Sequence, residues 1–314
     1  MFRREEMKEK YIVALGRVCI DEYYVTNEWP LMGEKKFVKP LEARIGGMVA
    51  NAASVLAGYG IKVCYLDLLP KTAPSTARIL EDFRNYSVST QLIQFDPDIA
   101  ETKCMIFLKE AERVIFITDV KRPPIRLEGQ SRKLFFQAAY VYSTLPDLQE
   151  LDSCDQVLAE YVAGGGKIAV DVEADSFTNA KEADHWFTCC SLVFMNQQAF
   201  DKYRGASDDA DAARRLLELG PKVLVVTKGR DGCTVISKER VFSRESYRVQ
   251  SVDTTGAGDT FNSSFLYGMI QGYTPEKAAE FASAAAARAV TAVGPRAGVA
   301  KAADVERFIR DYQV

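Results

Sequence analysis

The chain is expected to fold as α/β, with a central, mostly parallel sheet covered by helices on both faces and a small accessory β-sheet. Three observations carry this. Apolar runs at 11–16, 61–69, 140–143, 167–171, 192–194 and 223–227 are short and nearly continuous, as strands buried on both faces are. Helical patterns alternate with them, which favours parallel strands joined by crossover helices. Stretches within 19–41 and 89–118 break that rhythm with shorter, more polar strand-like segments, and read as a lid.

The 314 residues and 47% hydrophobic content allow one domain over 1–314 with a sizeable core. A net charge of −3, without a basic stripe or arm, excludes nucleic acid and membrane surfaces as expected partners. Residues 1–10 are charged, are expected to fray, and lack the apolar core of a signal peptide. No apolar run approaches a membrane span. Seven scattered cysteines without CxxC spacing read as reduced thiols in a cytoplasmic protein. His185 is the only histidine, which leaves no histidine-based triad or zinc site; beside Trp186 it reads as a packing or surface residue.

Tyr11 to Gly16 is the first buried strand, and Asp21 follows its C-terminal end, where open parallel sheets gather ligands. Position alone leaves a solvated loop aspartate equally open. Short strands are expected at 24–26 and 35–39. Gly46 and Gly47 precede an Ala-rich helix running to about Gly60; glycines there permit close backbone approach. Asn51 on that helix can donate and accept at once, which suits a hydroxyl-rich ligand; a tight turn with a small packing face is the competing reading, and the stronger one for Ala50, Ala52 and Ala53. A strand over 61–69 and a helix over 74–86 with Ile79, Leu80 and Phe83 inward come next. Strands at 91–95, 102–108 and 113–117, with a hairpin turn at 110–112, belong to the second irregular stretch.

An amphipathic helix over 148–163 stops at Gly164, Gly165 and Gly166; no Lys-Ser/Thr follows, so this is no Walker-type loop. Asn196 lies just after a strand, Asp201 close by, and Asp171 and Glu173 at another strand end. The strand 223–227 turns through Lys228, Gly229 and Gly232 into a hairpin partner at 233–236. A strand-like segment over 247–252 precedes the most informative string, 253–261. There Gly256, Ala257 and Gly258 fall where a loop becomes a helix, whose free N–H groups and dipole make an anion site. Asp259 in the first turn is placed to take a proton from an alcohol attacking a phosphoryl group. Ordinary N-capping is the competing reading of such a string. Thr274 and Pro275 open a last long Ala-rich helix.

The string from Asp253 to Asp259 resembles the C-terminal signature of the ribokinase-like (PfkB) family of carbohydrate kinases. The string from Ile45 to Ser54 resembles that family's N-terminal signature. The resemblance implies a ribokinase-like fold and an ATP-dependent sugar kinase with Mg2+. Asp259 would be the base and the Gly256-Ala257-Gly258 backbone the anion hole. Asp21, Gly46, Gly47 and Asn51 would bind the sugar; Asn196, Thr227, Gly229 and Gly232 would border the nucleotide. It further implies a K+ site near Asp253, where the turn 294–298 closes the nucleotide region, and a homodimer through lid strands. The family often carries Asn-x-x-Glu where this chain has Asn196 and Ala199, and often Lys where Met48 stands. Related expectations are a nucleoside or sugar-phosphate kinase, with Arg44, Lys103 and Arg113 as candidate phosphate-binding cations, and a non-catalytic metabolite-binding protein on the same scaffold.

Overall fold

The computed structural model describes residues 11–110 and 112–312, so the expected fraying of 1–10 and the tip of the 110–112 turn lie outside the described residues. An eight-stranded sheet forms the centre. In spatial order its strands are Val241–Arg244, Cys233–Ser237, Val223–Thr227, Leu192–Asn196, Lys167–Val172, Tyr140–Thr144, Tyr11–Leu15 and Lys62–Leu66. The six from Val223–Thr227 to Lys62–Leu66 run parallel, and the two at the other edge are antiparallel.

Pleating sends alternate residues of these strands to opposite faces. Ile12, Ala14, Tyr142, Ala169, Phe194 and Val225 enter one core, with the helices Met48–Gly58, Ala257–Ile270 and Pro275–Ala289. Val13, Leu15, Val141, Val170, Val193 and Val226 enter the other, under Cys154–Ala163, Gln197–Arg204 and Asp209–Leu219. Both faces are thus dry, which is why the strands read as continuous apolar runs.

A five-stranded sheet stands beyond the C-terminal end of the first strand. Cys19–Val25 pairs in parallel with Lys103–Lys109, which pairs antiparallel with Glu112–Ile117; Lys39–Pro40 and Arg44–Gly46 pair along the other side of Cys19–Val25.

Four expectations need correction. The run 61–69 is two strands: Lys62–Leu66 in the main sheet and Leu68–Pro70 in a two-stranded sheet with Gln94–Asp96, so 91–95 does not join the five-stranded sheet. The break falls at Asp67, whose carboxylate accepts the N–H groups of Val18 and Leu68. Residues 247–252 form no strand. Residues 35–38 are likewise irregular, with Phe37 fully exposed and nothing to pack on. The expected helix over 148–163 is a short turn, Leu145–Leu148, followed by Cys154–Ala163. Thr144 caps the short turn through the Asp147 N–H, and Ser153 in the left-handed region restarts the chain.

Candidate active site

The strand end Thr144, Arg17 just after the first strand, the smaller sheet and the start of helix Ala257–Ile270 border a cleft of about 920 Å³. Among its lining residues are Asp21, Gly47, Asn51, Asp253, Gly256 and Asp259. The two glycine-rich strings, separated by most of the chain, therefore meet at one place.

Gly256 is the N-cap of the helix in a left-handed conformation, φ 76°. A Cβ there would lie 2.1 Å from the Pro295 carbonyl oxygen, so only glycine lets the turn pass. Gly258 has open space where a side chain would stand. The Ala257 N–H also donates to the Thr254 carbonyl at 3.2 Å, which tightens the turn. Asp253 fastens the string from both sides: its carboxylate accepts the N–H of Thr255 and of Gly294, each at 2.9 Å. Burial opposes ionisation of Asp253, but these two donors prevail and hold its carboxyl below the usual range.

Asp259 is buried in the first turn of that helix. Burial pushes its pKa up to about 7; the Asn51 hydrogen bond pulls down, and the nearby carboxylates Glu173 and Asp21 push up. Asn51 Nδ2 donates to Asp259 Oδ2 at 2.7 Å, and Asn51 Oδ1 accepts from Arg296 Nε at 3.4 Å. Both ends of this amide are therefore engaged within the protein, and Asn51 orients Asp259. Arg296 is itself buried, paired with Asp82 and lying over the rings of Tyr86 and Phe83.

One turn along the same helix, Asn262 Nδ2 donates to Asp171 Oδ2 at 2.8 Å, and Tyr142 donates to the same oxygen at 3.4 Å. Asp171 sits at about 7, raised by burial and then by the charge of Asp259. Asn262 and Arg296 were not among the sequence candidates. Asn262 stands three residues after Asp259, a spacing that places both on one helix face; Arg296 falls within the turn 294–298 that the resemblance marked, without being singled out there.

Asp21 lies on the strand Cys19–Val25, not in a loop, and is buried. A side chain at Gly46 would collide with its carboxylate at about 2.2 Å, and one at Gly47, φ 104°, with the Arg17 carbonyl at 2.6 Å. Both glycines thus let the helix start pack beneath Asp21.

Asn196, Thr227, Gly229 and Gly232 form a separate group. Asn196 and Thr227 are register partners at the ends of adjacent strands. The Asn196 side chain caps the helix Gln197–Arg204 by accepting the Ala199 N–H at 2.7 Å. Gly232, φ 93°, is dictated by its neighbour, since a Cβ would meet the Arg244 carbonyl oxygen at 1.9 Å. Gly229, φ 58°, faces open space. Ala199 is wholly buried, in the same core as Phe200 and Tyr203. Asp201 is a surface residue paired with Arg204 and Gln197. His185 pairs with Asp155 at the surface, edge-on to Trp186.

The architecture, a large mostly parallel sheet with a smaller sheet beside it, agrees with the solved structures that it resembles. The chain is 25% identical to 5-dehydro-2-deoxygluconokinase from Bacillus licheniformis, over 97% of each chain. Its fold matches that of Arabidopsis thaliana ribokinase, solved with ribose and ATP, with a TM-score of 0.83 at 20% identity, covering 96% of this chain and 99% of that one. It also matches the nucleoside kinase of Methanocaldococcus jannaschii, with a TM-score of 0.79 at 18% identity, covering 97% and 99%. The model of the pfkB family carbohydrate kinases matches residues 9–302. With that span covering nearly all of the chain, the protein belongs to the pfkB family of carbohydrate kinases.

Proposed function

We propose that the protein transfers the γ-phosphoryl group of ATP to a primary hydroxyl of a sugar or sugar derivative. The observation that carries this is the meeting of Asp259, the Gly256 turn and Asp21 around one cleft. The acceptor lies against Asp21, Gly47 and Asn51, with its hydroxyl toward Asp259. Asp259 takes the hydroxyl proton, and a base with a pKa of about 7 suits an enzyme working near neutrality. The N–H groups at Gly256 and Gly258, and that of Ala257 once it turns from the Thr254 carbonyl, stabilise charge developing on the phosphoryl oxygens, worth on the order of 3 kcal/mol for one such donor.

ATP extends past Asn196, Thr227 and Gly229. Mg2+ accompanies its phosphates and needs only one or two protein carboxylates. Glu173, which lines the cleft within electrostatic reach of Asp259, is the donor that fits, since Ala199 offers none. Held there, the ion would neutralise phosphate charge. A monovalent cation near Asp253 is tested by the potassium dependence of turnover.

The five-stranded sheet serves as the lid that excludes water, and as a dimer surface. Support for the second role comes from the exposed apolar residues Phe37, Phe116 and Ile117 on it or its connection, because an unpaired edge strand invites pairing. A cytoplasmic location fits the free state of all seven cysteines. Among the described residues, no helix is long and apolar enough to cross a membrane.

A sugar panel tests the reading: ADP release from Mg-ATP with one acceptor, and none with water alone, is the expected result. Release confined to nucleosides or to phosphorylated sugars would move the assignment within the family. The second of these outcomes would direct attention to Arg113, which lines the cleft.

A further inference from the structure

Two cysteines and an aspartate converge at the wall of the cleft, and the phosphoryl-transfer chemistry uses only the aspartate. Asp21 is the register partner of Cys104 across two parallel strands, and Cys19 stands two residues before Asp21. The pleat therefore turns all three side chains to the same face of the smaller sheet. Cys19 Sγ lies 3.4 Å from Cys104 Sγ and 3.4 Å from Asp21 Oδ1. One ligand atom from each of the three falls within 4.8 Å of the others. All three residues are buried and line the cleft.

We propose that Cys19, Asp21 and Cys104 form a binding site for a soft divalent cation of the zinc type, at the acceptor end of the cleft. Zinc bonds of about 2.3 Å to sulfur and 2.0 Å to carboxylate oxygen set tetrahedral edges of about 3.7 Å between sulfurs and 3.5 Å between sulfur and oxygen. The Cys19–Cys104 and Cys19–Asp21 separations need shifts of only a few tenths of an ångström, and Asp21 and Cys104 close the third edge within 4.8 Å. Two thiolates select zinc or cadmium over magnesium, so Mg-ATP does not compete for the site. Binding displaces the two thiol protons to solvent, with no change of oxidation state. Three protein ligands leave a fourth position for water or an acceptor hydroxyl. Occupation withdraws Asp21 from the acceptor, so zinc inhibits. That consequence rests on the kinase reading, whereas the binding itself does not.

The test titrates the reduced full chain with cadmium or cobalt alone and follows the thiolate-to-metal absorption band, with zinc measured by competition against a chromophoric chelator. One ion per chain is expected. The band should persist in Cys189→Ser, which removes one of the adjacent pair elsewhere in the molecule. It should be lost in both Cys19→Ser and Cys104→Ser, with zinc affinity falling by more than the ~10–100-fold that loss of an outer-sphere partner costs. Absence of a band in wild type, or a full band in both of those variants, overturns the site. Stoichiometric zinc that leaves turnover with an active acceptor unchanged overturns its placement at the acceptor end. Because the band needs no turnover, a failed binding test and a failed kinase assay are read separately.

Discussion

Asn51 Nδ2 donates to Asp259 Oδ2 across 2.7 Å, joining the helix start after Gly46 and Gly47 to the helix start after Gly256. The bond favours the ionised carboxylate that a base requires, against the burial that disfavours it. Turnover is therefore expected to rise with pH through a midpoint near 7. Replacing Asn51 by Leu removes a lowering influence, so the acid limb of the profile should move to higher pH. A pH–rate profile of the two proteins checks this; an unmoved limb would mean that Asn51 does not set the ionisation of Asp259.

The same burial has a consequence for stability. The folded pKa of Asp259, about 7, lies above the ordinary value near 4 for an unfolded Asp. The folded state thus holds the proton more tightly, and stability falls as pH rises from about 4 through 7. Asp259→Asn removes that dependence. The variant is expected to melt higher than wild type at pH 8, with the gap narrowing toward pH 4, as thermal melts at both pH values would record.

Gly256 and Gly258 make different demands. Gly256→Ala forces a left-handed residue against the Pro295 carbonyl. Strain at such a position is of the order of 1–3 kcal/mol, and the clash adds to it, so a large fall in denaturant midpoint is expected. Gly258→Ala meets nothing within 4 Å and stands in a helix, so stability should change little. Its methyl group fills the space toward which the phosphoryl group is proposed to come, and kcat should fall. Equal effects of both substitutions on stability would contradict this division.

Arg122 and Asp67 form a buried ion pair, and Asp67 also accepts the Val18 N–H just before the strand that carries Asp21. Burial raises the Asp67 carboxyl to about 6, with Arg122 and the N–H of Val18 opposing. Arg122→Met leaves a buried carboxylate uncompensated, which costs about 3–5 kcal/mol. Asp67 then titrates higher still, so the loss should be greatest above pH 7 and shrink at pH 5, where the carboxyl is protonated. Denaturant unfolding at the two pH values measures the difference.

Legibility in the sequence followed the range of the interactions. The two glycine strings and their helices were readable, because turn and cap chemistry acts over a few residues. The parallel strands were readable from continuous apolar runs. The break at Asp67 was not, since it depends on Val18 and Arg122, which only the fold brings near. The segment 247–252 has strand-like composition but pairs with no strand; its Val252 N–H bonds the Val290 carbonyl beyond the last long helix instead. The bond of Asn51 to Asp259, a partner 208 residues away, was not legible either. The Asn262–Asp171 contact was hidden for the same reason, although the spacing of Asn262 from Asp259 hinted at a shared face.

The central claim is that Asp259 is the base of a phosphoryl transfer to a hydroxyl. Its most direct test is the rate of ADP release from Mg-ATP for wild type and Asp259→Asn, with the acceptor that a panel of sugars, nucleosides and sugar phosphates identifies. The expected result is robust turnover by wild type and a loss of roughly a hundredfold or more in the variant, at unchanged fold. Near-normal turnover in Asp259→Asn would contradict the assignment, as would binding of an acceptor by wild type without any ADP release.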